Sequence, residues 1–93
     1  MDTHNDNSMA FGEICQEMSR QKIVVGAKQL RKALAAGTAV RVYLAENADP
    51  AITEPILTQC KLNSVAYTWV RSMTDLGRAC GIEVGAAAAA AVR

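Results

Sequence analysis

The chain is predicted to fold as an α/β domain, a sheet with helices on both faces. Three observations lead there. From about residue 10 onward, strand-like and helix-like segments alternate regularly, as they do in layered α/β domains. The 93 residues suit one small domain. The composition is 51% hydrophobic and 20% charged, that of a folded protein. Phe11, Tyr43, Tyr67 and Trp69 are the only aromatic residues, so the core is expected to be built from Val, Leu, Ile and Ala. No internal repeat is evident.

Residues 1–9 are polar and expected to be disordered, leaving 10–93 as a single domain. Residues 10–19 place Phe11, Ile14, Cys15 and Met18 at helical spacing. "KIVVG" (22–26) is a β-branched run that stops at a glycine and predicts a buried strand. "AKQLRKALAAG" (27–37) is rich in strong helix formers and ends at Gly37, a suitable C′ residue. "AVRVYLAE" (39–46) predicts a second strand with Val40, Val42 and Leu44 on one face. Asp49 before Pro50 signals a helix start, and Pro55 either limits that helix to later residues or makes Thr53 its cap. The helix is expected to reach about residue 61. "SVAYTWV" (64–70) alternates as a third strand. "SMTDLGRACG" (72–81) carries Ser72 and Asp75 at capping-box spacing, with Gly81 as the stop.

The end of the chain, "GRACGIEVGAAAAAAVR", is ambiguous by propensity. Six alanines favour helix, but so short a run is marginal as an isolated helix. A central strand in a three-layer domain is buried on both faces, and small side chains there let helices approach closely. A final strand is therefore expected.

The same sequence argues against several functions. Acidic Asp2 and Asp6 stand where a secretory signal carries positive charge. No apolar run nears the roughly 18 residues that span a bilayer. Cys15, Cys60 and Cys80 are odd in number and widely spaced, as expected of reduced thiols in the cytoplasm. The one histidine, His4, lies in the polar start, so no Ser-His-Asp or Cys-His set can be assembled. Metal-ligand clusters and nucleotide-binding glycine motifs are absent. Neither catalysis nor a cofactor is expected.

Net charge is +1, but residues 20–45 hold Arg20, Lys22, Lys28, Arg31, Lys32 and Arg41 with no acid. Such a one-sign segment points to a local anion-binding patch. If a helix starts after Gly26, then Lys28, Arg31 and Lys32 share a face at i, i+3 and i+4, with Gln29 beside them. Free N–H groups at the helix start add partial positive charge. An amide side chain, cations and an open helix end match a phosphate backbone with accessible base edges. A solvated basic face is the plainer reading of the same residues.

"VVGAKQLRKAL", "AENADP" and "SMTDLGRACGIEVGAAAAA" together resemble the kink-turn RNA-binding ribosomal protein family, which spans archaeal "seven-Ae" and eukaryotic "thirty-e" proteins. The resemblance runs over about residues 10–92 and is nearest to the small bacterial, YbxF-like branch. It implies an α/β/α sandwich with a four-stranded mixed sheet. It also implies binding of kink-turns, sharp RNA bends with tandem sheared G·A pairs beside a short bulge, in ribosomal or regulatory RNA. By resemblance Gly26, Lys28, Gln29 and Lys32 enter the groove at the G·A pairs, while Ile82, Glu83, Val84 and Gly85 cap the bulge; Arg31 joins them as a phosphate contact. Lys28-Gln29 replaces the Asn-Glu usual in archaeal members, and Ala27 stands where threonine is common. A bacterial cytoplasmic monomer that binds RNA, including ribosomal RNA, and touches no membrane is the expectation. A protein-interaction scaffold of the same fold is the alternative.

Overall fold

The structure is a computed structural model describing residues 8–9 and 11–93. Its elements are β1 (Ser8–Met9), α1 (Phe11–Met18), β2 (Lys22–Val25), α2 (Ala27–Ala36), β3 (Ala39–Ala45), α3 (Pro50–Leu62), β4 (Ala66–Val70), α4 (Met73–Ala79) and β5 (Ala88–Val92). The strands form one sheet in the order β1-β4-β3-β5-β2. β5 is antiparallel to both its neighbours, and β1, β4 and β3 are parallel. The expected four-stranded mixed sheet is thus β4-β3-β5-β2, with β1 lengthening one edge. Of the segment expected to be disordered, residues 1–7 lie outside the described residues, and Ser8–Met9 instead pair with Trp69–Val70.

Two cores flank the sheet. Ile14, Met18 and Leu76 bring α1 and α4 onto one face, against Tyr43, Ala45 and Val70. Leu30, Ala33, Leu34, Ile56 and Cys60 bring α2 and α3 onto the other, against Val42 and Leu44. The alanine run is the strand both layers share. Ala88 and Ala90 point into the α2–α3 core and Ala89 and Ala91 into the α1–α4 core, and all four are fully buried.

Three expectations change. α3 starts at Pro50, where Asp49 accepts the Ala51 N–H at 3.0 Å, and it runs through Pro55. Pro55 removes one rung of the helix; it and Ala51 are both exposed, where water can hydrate the freed carbonyl. Val40 does not join Val42 and Leu44 in the core. A register shift against β5 between Ala39 and Arg41 turns it outward, 49% exposed. The third strand starts at Ala66, two residues late, because Ser64 adopts a left-handed backbone (φ 56°) after α3.

Candidate nucleic-acid interface

The sheet topology assembles this site. β2, β3 and β4 all end at the same edge of the sheet, and antiparallel β5 begins there. Three hydrogen bonds tie this edge together: the N–H groups of Gly26, Ala45 and Glu46 donate to the carbonyls of Ala88, Ala87 and Val70 at 3.0, 3.0 and 2.8 Å. Ligands of open α/β sheets commonly bind beyond the carboxyl ends of the strands. The starts of α2, α3 and α4 and the loop at residues 81–85 gather at this edge.

The starts of α3 and α4 are capped by side chains, Asp49 and Ser72. The start of α2 is not. Its N-cap is Gly26, at φ 102° and ψ 146°, a backbone that a residue with a Cβ adopts only under strain. A first side chain appears at Ala27, so the helix end stays open. Leu30 closes the first turn, donating to the Gly26 carbonyl at 3.0 Å. The N–H groups ahead of it have no intrahelical acceptor, and the first turn holds no acid.

Lys28, Gln29, Arg31 and Lys32 are all exposed, while Leu30, Ala33 and Leu34 anchor the opposite side of α2 in the core. Lys28, Arg31 and Lys32 line one open depression with Ala27, Ala35 and, from α3, Gln59. Gln29 sits outside that lining. The other cations of the basic segment do not all belong to the patch. Arg41 is spent beneath α1, on Thr68 Oγ1 at 2.7 Å and the Glu17 carboxylate at 3.5 Å.

The second predicted element, residues 81–85, is an irregular loop seated on α4. Gly81 (φ 83°) and Ile82 close a Schellman motif, donating to Arg78 and Gly77 carbonyls, each at 3.0 Å. Gly77 is buried, and a Cβ there would run into the Val84 carbonyl oxygen. Gly85 packs on Met73, whose carbonyl accepts the Ala86 N–H at 3.0 Å. The loop's side chains divide: Ile82 is half-buried against the α1–α4 core, whereas Glu83 is exposed and Val84 is 71% exposed. Val84 is therefore the apolar side chain that the loop exposes, and Ile82 chiefly holds the loop down. The Arg78 guanidinium lies 4.8 Å from the Phe11 ring centroid, linking the end of α4 to α1.

Sequence reading missed Asn47, Gln59 and Gly77. Asn47 lies in the quoted "AENADP" segment, but nothing in the sequence pairs it with Met73, whose N–H it accepts at 2.8 Å.

The remaining chemistry lies elsewhere. Cys15, Cys60 and Cys80 are free thiols. Burial raises the Cys80 pKa and pushes Cys60 up to about 11, so neither is poised as a thiolate at neutral pH. The Tyr43 hydroxyl and Glu17 Oε1 are buried, and neither makes a hydrogen bond of good geometry among the described residues. Burial first, and the Glu17 charge second, push the Tyr43 pKa up to about 12. No group of three metal-ligating side chains occurs among the described residues, and no described helix is long and apolar enough to cross a membrane. His4 lies outside the described residues.

Comparison with known proteins gives a consistent result. The profile of the ribosomal protein L7Ae/L30e/S12e/Gadd45 family matches residues 10–93. An RNA-binding protein of Geobacillus sp. (strain WCH70) is 49% identical over 72 residues, 77% of this chain and 88% of that protein. The RNA-binding protein YbxF of Geobacillus stearothermophilus is 47% identical over 72 residues, with the same coverage. Among solved structures, a 15.5kD RNA binding protein of Giardia lamblia superposes with a TM-score of 0.79 at 26% identity, covering 100% of this chain and 84% of that one.

Proposed function

Because the chain belongs to the ribosomal protein L7Ae/L30e/S12e/Gadd45 family, we propose that it is a non-catalytic RNA-binding protein that recognises kink-turns in ribosomal or regulatory RNA. One observation carries the reading. The uncapped, acid-free start of α2, with Lys28, Gln29, Arg31 and Lys32 exposed, is bonded through Gly26 to Ala88, at the start of the strand that the 81–85 loop feeds. An exposed basic helix start and a loop presenting Val84 thus sit at one edge. On this reading Gly26 admits the RNA backbone, and Lys28 and Gln29 reach base edges at the G·A pairs. Arg31 and Lys32 neutralise phosphates, and residues 82–85 cover the unstacked bulge.

Gln can donate and accept together, and Lys can donate to guanine acceptors. That chemistry specifies bases, whereas Arg31 and Lys32 only position the strand. The same reading places the protein in the bacterial cytoplasm as a monomer. The test is a calorimetric titration with a standard kink-turn RNA and with one whose G·A pairs are replaced by Watson–Crick pairs, at fixed salt. Clear preference for the intact RNA supports the reading. Equal affinity for the two overturns kink-turn recognition, and no binding of either favours a protein-interaction scaffold.

A further inference from the structure

We infer that Asn47 is a positioning residue for RNA recognition, holding the 81–85 loop in place through Met73 without touching RNA itself; the inference rests on the function proposed above. Asn47 lies in the turn after β3. Its side-chain carbonyl oxygen accepts the Met73 N–H at 2.8 Å. Met73 is the first residue of α4, so this N–H is one that its own helix leaves without an acceptor.

Met73 is also where the loop comes back down. Its carbonyl accepts the Ala86 N–H at 3.0 Å, and its Cβ packs against Gly85. Both ends of this connection are firm. β3 continues past its last residue through the Glu46 N–H to Val70 carbonyl bond, and the Ala45 N–H reaches Ala87, next to Ala86. The Asn47 side chain therefore joins the end of β3 to the start of α4, and through α4 to the returning limb of the loop. The outgoing limb is fixed separately by Gly77, beneath Ile82 and Val84. On this inference Asn47, with its oxygen engaged by Met73, acts by holding the loop and not by accepting a hydrogen bond from RNA. The α2 start is held by its own bond, from the Gly26 N–H to the Ala88 carbonyl, so losing the Asn47–Met73 bond leaves Lys28 and Gln29 in place.

The test compares the full chain with Asn47→Ala and with Asn47→Asp, which retains an acceptor oxygen. Binding to the intact and the G·A-substituted kink-turn RNA is measured across salt, with thermal melts and amide hydrogen exchange on the free proteins. Asn47→Ala should weaken intact-RNA binding roughly tenfold, the size of one net hydrogen bond and a little more. Its salt dependence and its preference for intact G·A pairs should stay those of the parent, because no phosphate or base contact is lost. The Ala86 amide should exchange faster in Asn47→Ala while the Gly26 amide stays protected, and Asn47→Asp should restore Ala86 protection. Parent-like binding by Asn47→Ala overturns the inference, as does a lost preference for intact G·A pairs, which would make Asn47 a direct base contact. Uniform loss of protection at every amide reduces Asn47 to a general stability role. If the parent itself shows no preference for intact RNA, the proposed function fails first. The exchange pattern would then still report whether Asn47 holds the loop, but not for RNA.

Discussion

Gly77→Ala probes the seat of the 81–85 loop. Inside an exposed helix this change stabilises by about 1 kcal/mol, because glycine is the poorer helix former. Here the added methyl meets the Val84 carbonyl oxygen, with the Gly85 Cα and Val84 carbonyl carbon each 3.1 Å away. All three are backbone atoms, so no side chain can rotate aside. The loop must lift by about an ångström to reach ordinary contact distance. Overpacking of this kind costs about 1 to 3 kcal/mol, leaving a net loss of roughly 0 to 2 kcal/mol and a melting temperature lower by up to about 10 °C for a domain this small. RNA binding should suffer more than stability, since the lifted segment carries Val84. A tenfold or greater loss is expected, with parent-like salt dependence because no cation has moved. Thermal melts and RNA titrations on the same preparations decide it. A variant that melts above the parent and binds RNA equally well would show that the loop is not held against α4 at Gly77.

Three further outcomes follow from the same geometry. Gln29→Ala should cost about 1 to 3 kcal/mol on intact kink-turn RNA and erode the preference for G·A pairs without unfolding α2, because the residue is exposed; dissociation constants for both RNAs test this, and an unchanged preference removes Gln29 as a reader. Arg31→Ala should weaken both RNAs alike and lower the salt slope by about one, so an effect confined to one RNA would contradict its assignment to phosphate. Stability should decline in alkali: Cys60 and Tyr43 keep their protons more tightly when folded, with pKa values moved from 9.0 to about 11 and from 10.0 to about 12. Their stabilising effect is complete below the unfolded values and is lost as pH rises through the folded ones. Urea unfolding across this range should show a shallower decline for Tyr43→Phe than for the parent, and identical slopes would refute the tyrosine's part.

Much of this architecture was legible because local rules and layer packing agreed. Gly37 and Gly81 stop their helices through left-handed backbones, at φ 76° and 83°, and Ser72 caps α4 through its bond to the Asp75 N–H at 3.1 Å. Where the two disagreed, packing prevailed. Buried Ile56 and Cys60 hold α3 against the sheet, and Pro55 costs that helix one bond without ending it. The outward turn of Val40 depends on a shifted register between two strands far apart in sequence, which no local pattern encodes. The basic helix could be read at its spacing, but the diversion of Arg41 to Glu17 and Thr68 could not, since it requires the sheet to be assembled. Likewise, Ile82 and Val84 look equivalent in "GIEVG" until the Schellman turn at Gly81 sends one inward and leaves the other exposed.

On the proposed function, the alanine run that looks like low complexity lets two separate elements act as one site. β5 lies between β2, whose end launches α2, and β3, whose end carries Asn47. Its side chains alternate between the two cores, so a larger residue at any of Ala88 to Ala91 would push out one helical layer or the other. Overpacking in such a strand costs stability, but here it would also move α2 relative to α4. The start of α2 depends on Ala88 through the Gly26 bond, and the 81–85 loop depends on α4 through Gly77 and Met73. A kink-turn presents its G·A pairs and its bulge as one rigid shape. A protein that meets both at once needs its helix start and its loop held at one fixed separation, and the methyl side chains of β5 set that separation.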